Sequence, residues 1–184
     1  MKRPHFTRLC LAIFVAGVFA DPADADSFHE IADQARAKYA AAQQKWQNGV
    51  CNLTARMNPA FREIAWAQRD LQLATIEERT ARFRYLLAHD PHRIVLTNGI
   101  PQFANFEWTD SDAQALAESD PSYVALHSRV EAYEKRNNAQ AGWQEFRAWC
   151  RETLSQSKEH KAILSDFMAR QKEVEALLQQ YKPE

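Results

Sequence analysis

The sequence predicts a single all-α domain: a bundle of four to six helices with one long irregular loop and one disulfide, carried out of the cytoplasm behind a removable leader. Three observations predict it. Apolar residues recur at three-and-four spacing through most of the chain after residue 25, as helices that bury one face require. Cap and proline pairs at Asn58-Pro59, Asp90-Pro91 and Asp120-Pro121 mark where such runs start and stop. The length left after the leader, about 160 residues, suits one domain with a substantial core and is short for two.

Residues 1–25 read as an address. Lys2, Arg3 and Arg8 form a basic start, Leu9 to Ala20 is an apolar run, and small residues follow, so cleavage after residue 20 or 25 is expected and 26–184 is the mature domain. A permanent N-terminal anchor is the alternative, disfavoured because the apolar run falls short of the roughly 20 residues a spanning helix needs. A periplasmic or secreted protein without stable membrane insertion follows.

The first helix should run from a cap at Asp26 or Ser27 to about Gln47, with Phe28, Ile31, Ala35, Tyr39, Ala42 and Trp46 on its apolar face and Asp33, Arg36, Lys38 and Gln44 on the other. Asn48-Gly49 supplies a left-handed stop, and the stretch to Met57 is a short connection. The central helix from Asn58 to Asp90 is the longest. Its apolar arc, which includes Phe61, Ile64, Trp66, Leu73, Ile76, Phe83 and Leu87, is wide enough to be touched from two directions, by the first helix and by a C-terminal pair.

Between Pro91 and Thr109 no helical period survives. Arg93 to Thr97 before Asn98-Gly99 could form one arm of a hairpin, which Pro101 weakens in the second arm. A loop this long inside a compact domain binds something, packs as a lid, or is disordered. Asp110 should cap a brief helix to Glu118, and Asp120-Pro121 opens another with Tyr123, Leu126, Val130 and Tyr133 on one stripe. Beyond Gly142 a stripe through Trp143, Phe146, Cys150, Leu164, Phe167, Val174, Leu178 and Tyr181 is interrupted at Thr153, Ser157 and His160. Either one long helix with a wet middle or two helices meeting near Ser155 to Ser157 would give that pattern.

With Lys2, Arg3 and Arg8 set aside, about 20 basic residues face 24 acidic ones, and no basic run follows the leader. Nucleic acid is therefore not expected as a partner. Cys51 and Cys150 remain once the leader is removed. In an oxidising compartment they should pair, closing a loop of about a hundred residues worth up to roughly 4–5 kcal/mol in the chain-entropy limit.

Catalytic signatures are missing: there is no GxSxG, HExxH, phosphate-cradling glycine loop or CxxCH, so no cofactor is expected. His89 and His92 are separated by Pro91, which breaks the spacing two metal ligands on a helix would need, so no metal site is expected either. The charged residues of the central helix, among them Arg69, Asp70, Glu77, Glu78, Arg79 and Arg82, could form an anion cage in a small secreted helical enzyme, or simply pair across solvated faces. The remaining candidate is aromatic. Phe103, Phe106 and Trp108 crowd three rings into the proline-marked loop, either as binding anchors or as a plug over the bundle end.

The expectation is thus an exported, non-enzymatic protein that recognises another envelope or secreted protein, or a small apolar ligand, through Phe103, Phe106 and Trp108. Self-association as a homodimer through a coiled coil of the C-terminal stripe is the second possibility.

Overall fold

The computed structural model describes residues 22–94, 96–97, 100–101, 103 and 106–179, and within 22–27, 96–97 and 100–101 it describes the backbone alone. The leader residues 1–21, and Tyr181 of the C-terminal stripe, lie outside the described residues. Six α-helices occur among those described: α1 (Pro22–Met57), α2 (Arg62–His89), α3 (Asp110–Ser119), α4 (Pro121–Ala139), α5 (Trp143–Glu152) and α6 (Lys158–Gln179). The all-α expectation therefore holds. None of these helices is long and apolar enough to cross a membrane.

α1 does not stop at Asn48-Gly49. It continues for 36 residues, about 54 Å, through the stretch expected to be a connection. Gly49 is there because of what passes over it: a Cβ at this position would lie 3.1 Å from the Cγ2 of Ile163 on α6. The glycine marks a close helix crossing, and the same residue type that ends helices is here what lets two of them approach.

Asn58 then caps the turn into α2 as expected, its side chain accepting from the Ala60 amide, with Pro59 in the first turn. Asp120 caps α4 in the same way, accepting from Ser122. For α3 the cap is Thr109 and not Asp110. Thr109 and Asp112 form a reciprocal capping box, each side chain bonded to the other's backbone N–H.

Packing also departs from the expected order. α2 lies between α1 and α4, while α6 packs chiefly on α1. Small side chains explain the exchange: Ala32 and Ala35 of α1 are fully buried, in one cluster with Val174 and Leu178 of α6 and with Phe83, Leu86 and Leu87 of α2. α1 is thus buried from two sides. Val174 and Leu178, two positions of the stripe considered for a coiled coil, are spent in this core, and what α6 leaves exposed is Leu164 and Met168.

The C-terminal stripe is two helices, not one. A turn of 3-10 helix at Leu154–Gln156 separates α5 from α6, and Ser157 accepts from the His160 amide to open α6. α4 and α5 are separated at Gly142, whose φ of 87° is the left-handed region glycine tolerates; there a Cβ would also press to 3.2 Å from Ile64 Cδ1.

The expected disulfide is not formed. Cys51 is a buried free thiol facing the α1/α2 side, and Cys150 is a half-buried free thiol on α5. Phe146, one turn before Cys150, lines both the small cavity at Cys51 and the groove at Cys150. Burial pushes both thiols above their ordinary pKa, and neither carries the thiolate character of a reactive cysteine.

Candidate functional site

The loop between α2 and α3 returns over the bundle instead of extending from it. A two-residue ladder pairs Leu96 with Pro101 and Thr97 with Ile100, so of the possible arm from Arg93 to Thr97 only the last two residues pair, Arg93 belonging instead to a turn of 3-10 helix, Pro91–Arg93. Downstream, the three rings descend onto α1 and α2 in succession. Phe103 stacks on Tyr39 at 5.5 Å and meets Phe83 edge-on at 5.3 Å. Phe106 reaches Phe83 at 6.2 Å. Trp108 stands against Tyr85 (5.9 Å) and Tyr123 (6.4 Å), with the Arg82 guanidinium 5.4 Å from its ring centroid.

These contacts divide the three expected anchors. Phe103 is 7% exposed and belongs to the core cluster, so no ligand meets its ring while the loop is in place. Phe106 and Trp108 are half-buried, and of the two Trp108 borders α4, the outer helix of this side. The rings close the bundle end, and the last of them remains reachable.

Both ends of the loop are pinned by charge. Arg93 forms a two-pronged ion pair with Asp112 (2.8 and 2.7 Å) and donates to the Glu107 carbonyl at 3.1 Å. Asp112 also accepts from the Thr109 amide and hydroxyl. The Arg93 guanidinium, with Thr109 adding to it, holds the Asp112 carboxyl well below the usual carboxylate range. The loop's middle is held from beneath by Arg36. Its guanidinium donates to the Phe103 carbonyl (3.1 Å), the Thr80 hydroxyl (3.2 Å) and the Ile76 carbonyl (3.5 Å), beneath the rings of Tyr39 and Phe83.

Arg36 was assigned to the solvated face of α1 and is instead 1% exposed. No carboxylate pairs with it among the described residues. Burial lowers its pKa to about 10, which still leaves it charged at neutral pH. A guanidinium tolerates this because carbonyl oxygens and ring faces share out its diffuse charge.

Around Trp108 a second network forms between α2 and α4. Glu78, buried, accepts through Oε1 from Arg82 (2.6 Å) and from His127 Nδ1 (2.6 Å). Arg82 also donates from Nε to the Tyr123 hydroxyl at 3.2 Å, which brings the network under the indole. His127 is stacked on Tyr123 and has its Nε2 3.6 Å from Glu131, at the surface. A carboxylate bonded at Nδ1 fixes the tautomer and orientation of the ring. No hydroxyl or thiol is hydrogen-bonded to His127 among the described residues, so the geometry positions side chains and does not assemble a nucleophile relay.

Sequence reasoning missed this group because its members come from two helices. Glu78 and Arg82 are four apart and could have been read as a pair; His127 and Tyr123 are four apart on α4, and only the packing brings the two pairs together. Some of the other charged residues of α2 are satisfied between helices. Glu77 pairs with Arg129 and Arg84 with Asp33, whereas Arg69 pairs with its neighbour Asp70 at 2.7 Å. No inward cage of free charges results. His89 stacks on Tyr85 and donates to its carbonyl at the helix end, and no group of three metal-ligating side chains occurs among the described residues. Trp66, expected in the core, is 38% exposed under Arg62.

No protein-family model matches this chain, and no curated protein or solved structure matches it significantly.

Proposed function

We propose that this chain is an exported, non-enzymatic binding protein of the cell envelope that recognises another envelope or secreted protein through the rim where the loop meets α4, centred on Trp108. The single observation that supports the reading is the state of that side chain. A large ring is left partly exposed, yet it is held by Tyr85, Tyr123 and the Arg82 guanidinium. An aromatic anchor already fixed in place loses little side-chain entropy on binding, which is what interface hot spots have in common.

The surroundings fit a protein partner. Val124, 46% exposed, lies three residues before His127 and seven before Glu131, so an apolar side chain and two polar ones follow one another on the outer face of α4. An apolar centre with a polar rim is the composition of a modest protein interface. Export rests on the basic and apolar leader, Lys2 to Ala20.

The test follows from the burial. Replacing all three rings would unfold the bundle end, because Phe103 is core; Trp108→Ala and Val124→Asp do not have that defect. With the mature protein immobilised against native envelope extract, both variants should keep the wild-type circular dichroism and retain the partner at least about tenfold less well. Equal retention by wild type and both folded variants would rule the rim out as the binding face.

A further inference from the structure

Further along α2, away from the loop, lies a groove of about 680 Å³ bounded by α2, the end of α4 and α5. Its composition is unusual for this molecule. Arg147 and Arg151 line it together with the carboxamides of Gln68, Asn138 and Gln144, and no acidic residue does. Neither arginine has a carboxylate partner among the described residues, a state they share with Arg36, Arg56, Arg62 and Arg79, whereas Arg69, Arg82, Arg84, Arg93, Arg129, Arg136 and Arg170 each have one.

The neighbouring groove, at Trp66 and Arg136, provides the contrast. It too carries two arginines, but Asp70 lies within it, 2.7 Å from Arg69 and 3.7 Å from Arg136, so the chain supplies its own anion. In the α5 groove that place is empty of carboxylate.

One further observation points to a ligand with more than charge. The Arg147 guanidinium is laid over the Trp143 ring at 5.7 Å, and Trp143 is itself held by donating its indole N–H to the Asn137 carbonyl at 2.5 Å; with Leu71 and Phe146 this gives the groove an apolar wall beside its cations.

We propose that this groove binds a small organic oxyanion with a flat apolar body, the carboxylate or phosphate held by Arg147 and Arg151 and the body lying against Trp143, Phe146 and Leu71. Guanidinium groups suit both oxyanions, since their paired donors match two oxygens at once. This site is independent of the Trp108 rim.

Cys150 lines the groove and reports on its occupancy. The full chain would be titrated with phenyl phosphate, benzoate, inorganic phosphate and phenol, following heat of binding together with the rate at which N-ethylmaleimide modifies Cys150, read by peptide mass spectrometry. Phenyl phosphate or benzoate should bind, slow modification of Cys150, and outdo both phenol and inorganic phosphate. The tighter of the two aryl anions assigns the oxyanion.

Arg147, Arg151 and Gln144 are exposed, so R147A/R151A and Q144E should fold. Each should weaken binding by roughly tenfold or more, the first by removing the charge-assisted donors and the second by giving Arg147 a carboxylate of its own. The proposal is overturned if neither aryl anion binds better than phenol, if inorganic phosphate does as well as phenyl phosphate, or if both variants bind like wild type.

Discussion

The two flanks of α2 bury charge in opposite ways. Toward α1 a cation, Arg36, lies 1% exposed among carbonyl oxygens and ring faces, with no carboxylate partner among the described residues. Toward α4 an anion, Glu78, lies 4% exposed and is met by two cationic or proton-donating side chains, Arg82 and His127. The difference is chemical. A guanidinium spreads its charge over a planar fork of five donors and resists losing its proton, so dipoles can stand in for a counter-charge. A carboxylate concentrates its charge on two oxygens, and buried without partners it would take up a proton instead. The α1 flank can therefore be static, whereas the α4 flank needs side chains that also reach the surface, and it is there that Trp108 and His127 present themselves.

Substitutions that strip each flank should separate these roles. Arg36→Ala removes a fully packed side chain and orphans the Phe103 carbonyl, and a loss of roughly 2–4 kcal/mol in urea unfolding is expected, with the loop released. Arg36→Met, which keeps most of the volume, should recover part of that; if it is as damaging as alanine, the donors matter and the packing does not. Glu78→Gln preserves shape on the other flank and leaves Arg82 and His127 free to turn toward water, so a smaller loss of roughly 1–2 kcal/mol is expected. Its stronger signature should be in binding, through a loosened Trp108. A Glu78→Gln variant with unchanged stability and unchanged Trp108 fluorescence would show that the network is incidental.

Smaller still, Thr109→Ala removes the cap of α3 for about 1 kcal/mol. Acid probes the same junction. Because the Asp112 carboxyl is held below its unfolded value of about 3.9, its contribution is fully present above that pH and is lost as pH falls below it toward the lower folded value. Ring signals of Trp108 should therefore change in wild type as pH falls below about 3.9, whereas Asp112→Asn, with no carboxyl to protonate, should show the altered signals already at neutral pH and lack that acid step. Weakest of all is the thiol comparison: Cys150, half-buried, should be alkylated faster than Cys51, and both more slowly than a free thiol at the same pH, with rates still rising above the ordinary thiol pKa, since burial raises both thiols. A mature protein with no titratable thiols would restore the disulfide.

Helices and most of their ends were legible because their signals are local. Asn58-Pro59 and Asp120-Pro121 state in two residues that a chain end must be capped and a first-turn donor dispensed with. Gly49 was misread because a glycine signals either a left-handed stop or a close neighbour, and the neighbour, Ile163, is more than a hundred residues away. Arg36 was misread because helical spacing assigns a face but cannot say that a loop will later cover it. Likewise the rings of the loop could be picked out, but which of them would be core and which rim depends on Tyr39, Phe83 and Tyr123, brought there by three different helices.

The pairing of α6 with α1 has a consequence for the chain's life before it is folded. Val174 and Leu178 complete a cluster begun at Ala32 and Ala35, so the core cannot close until nearly the last turn has left the ribosome. At about 5–20 residues per second, synthesis leaves the N-terminal segments waiting several seconds for their final partner. A nascent chain kept open in this way stays unfolded and threadable for that interval.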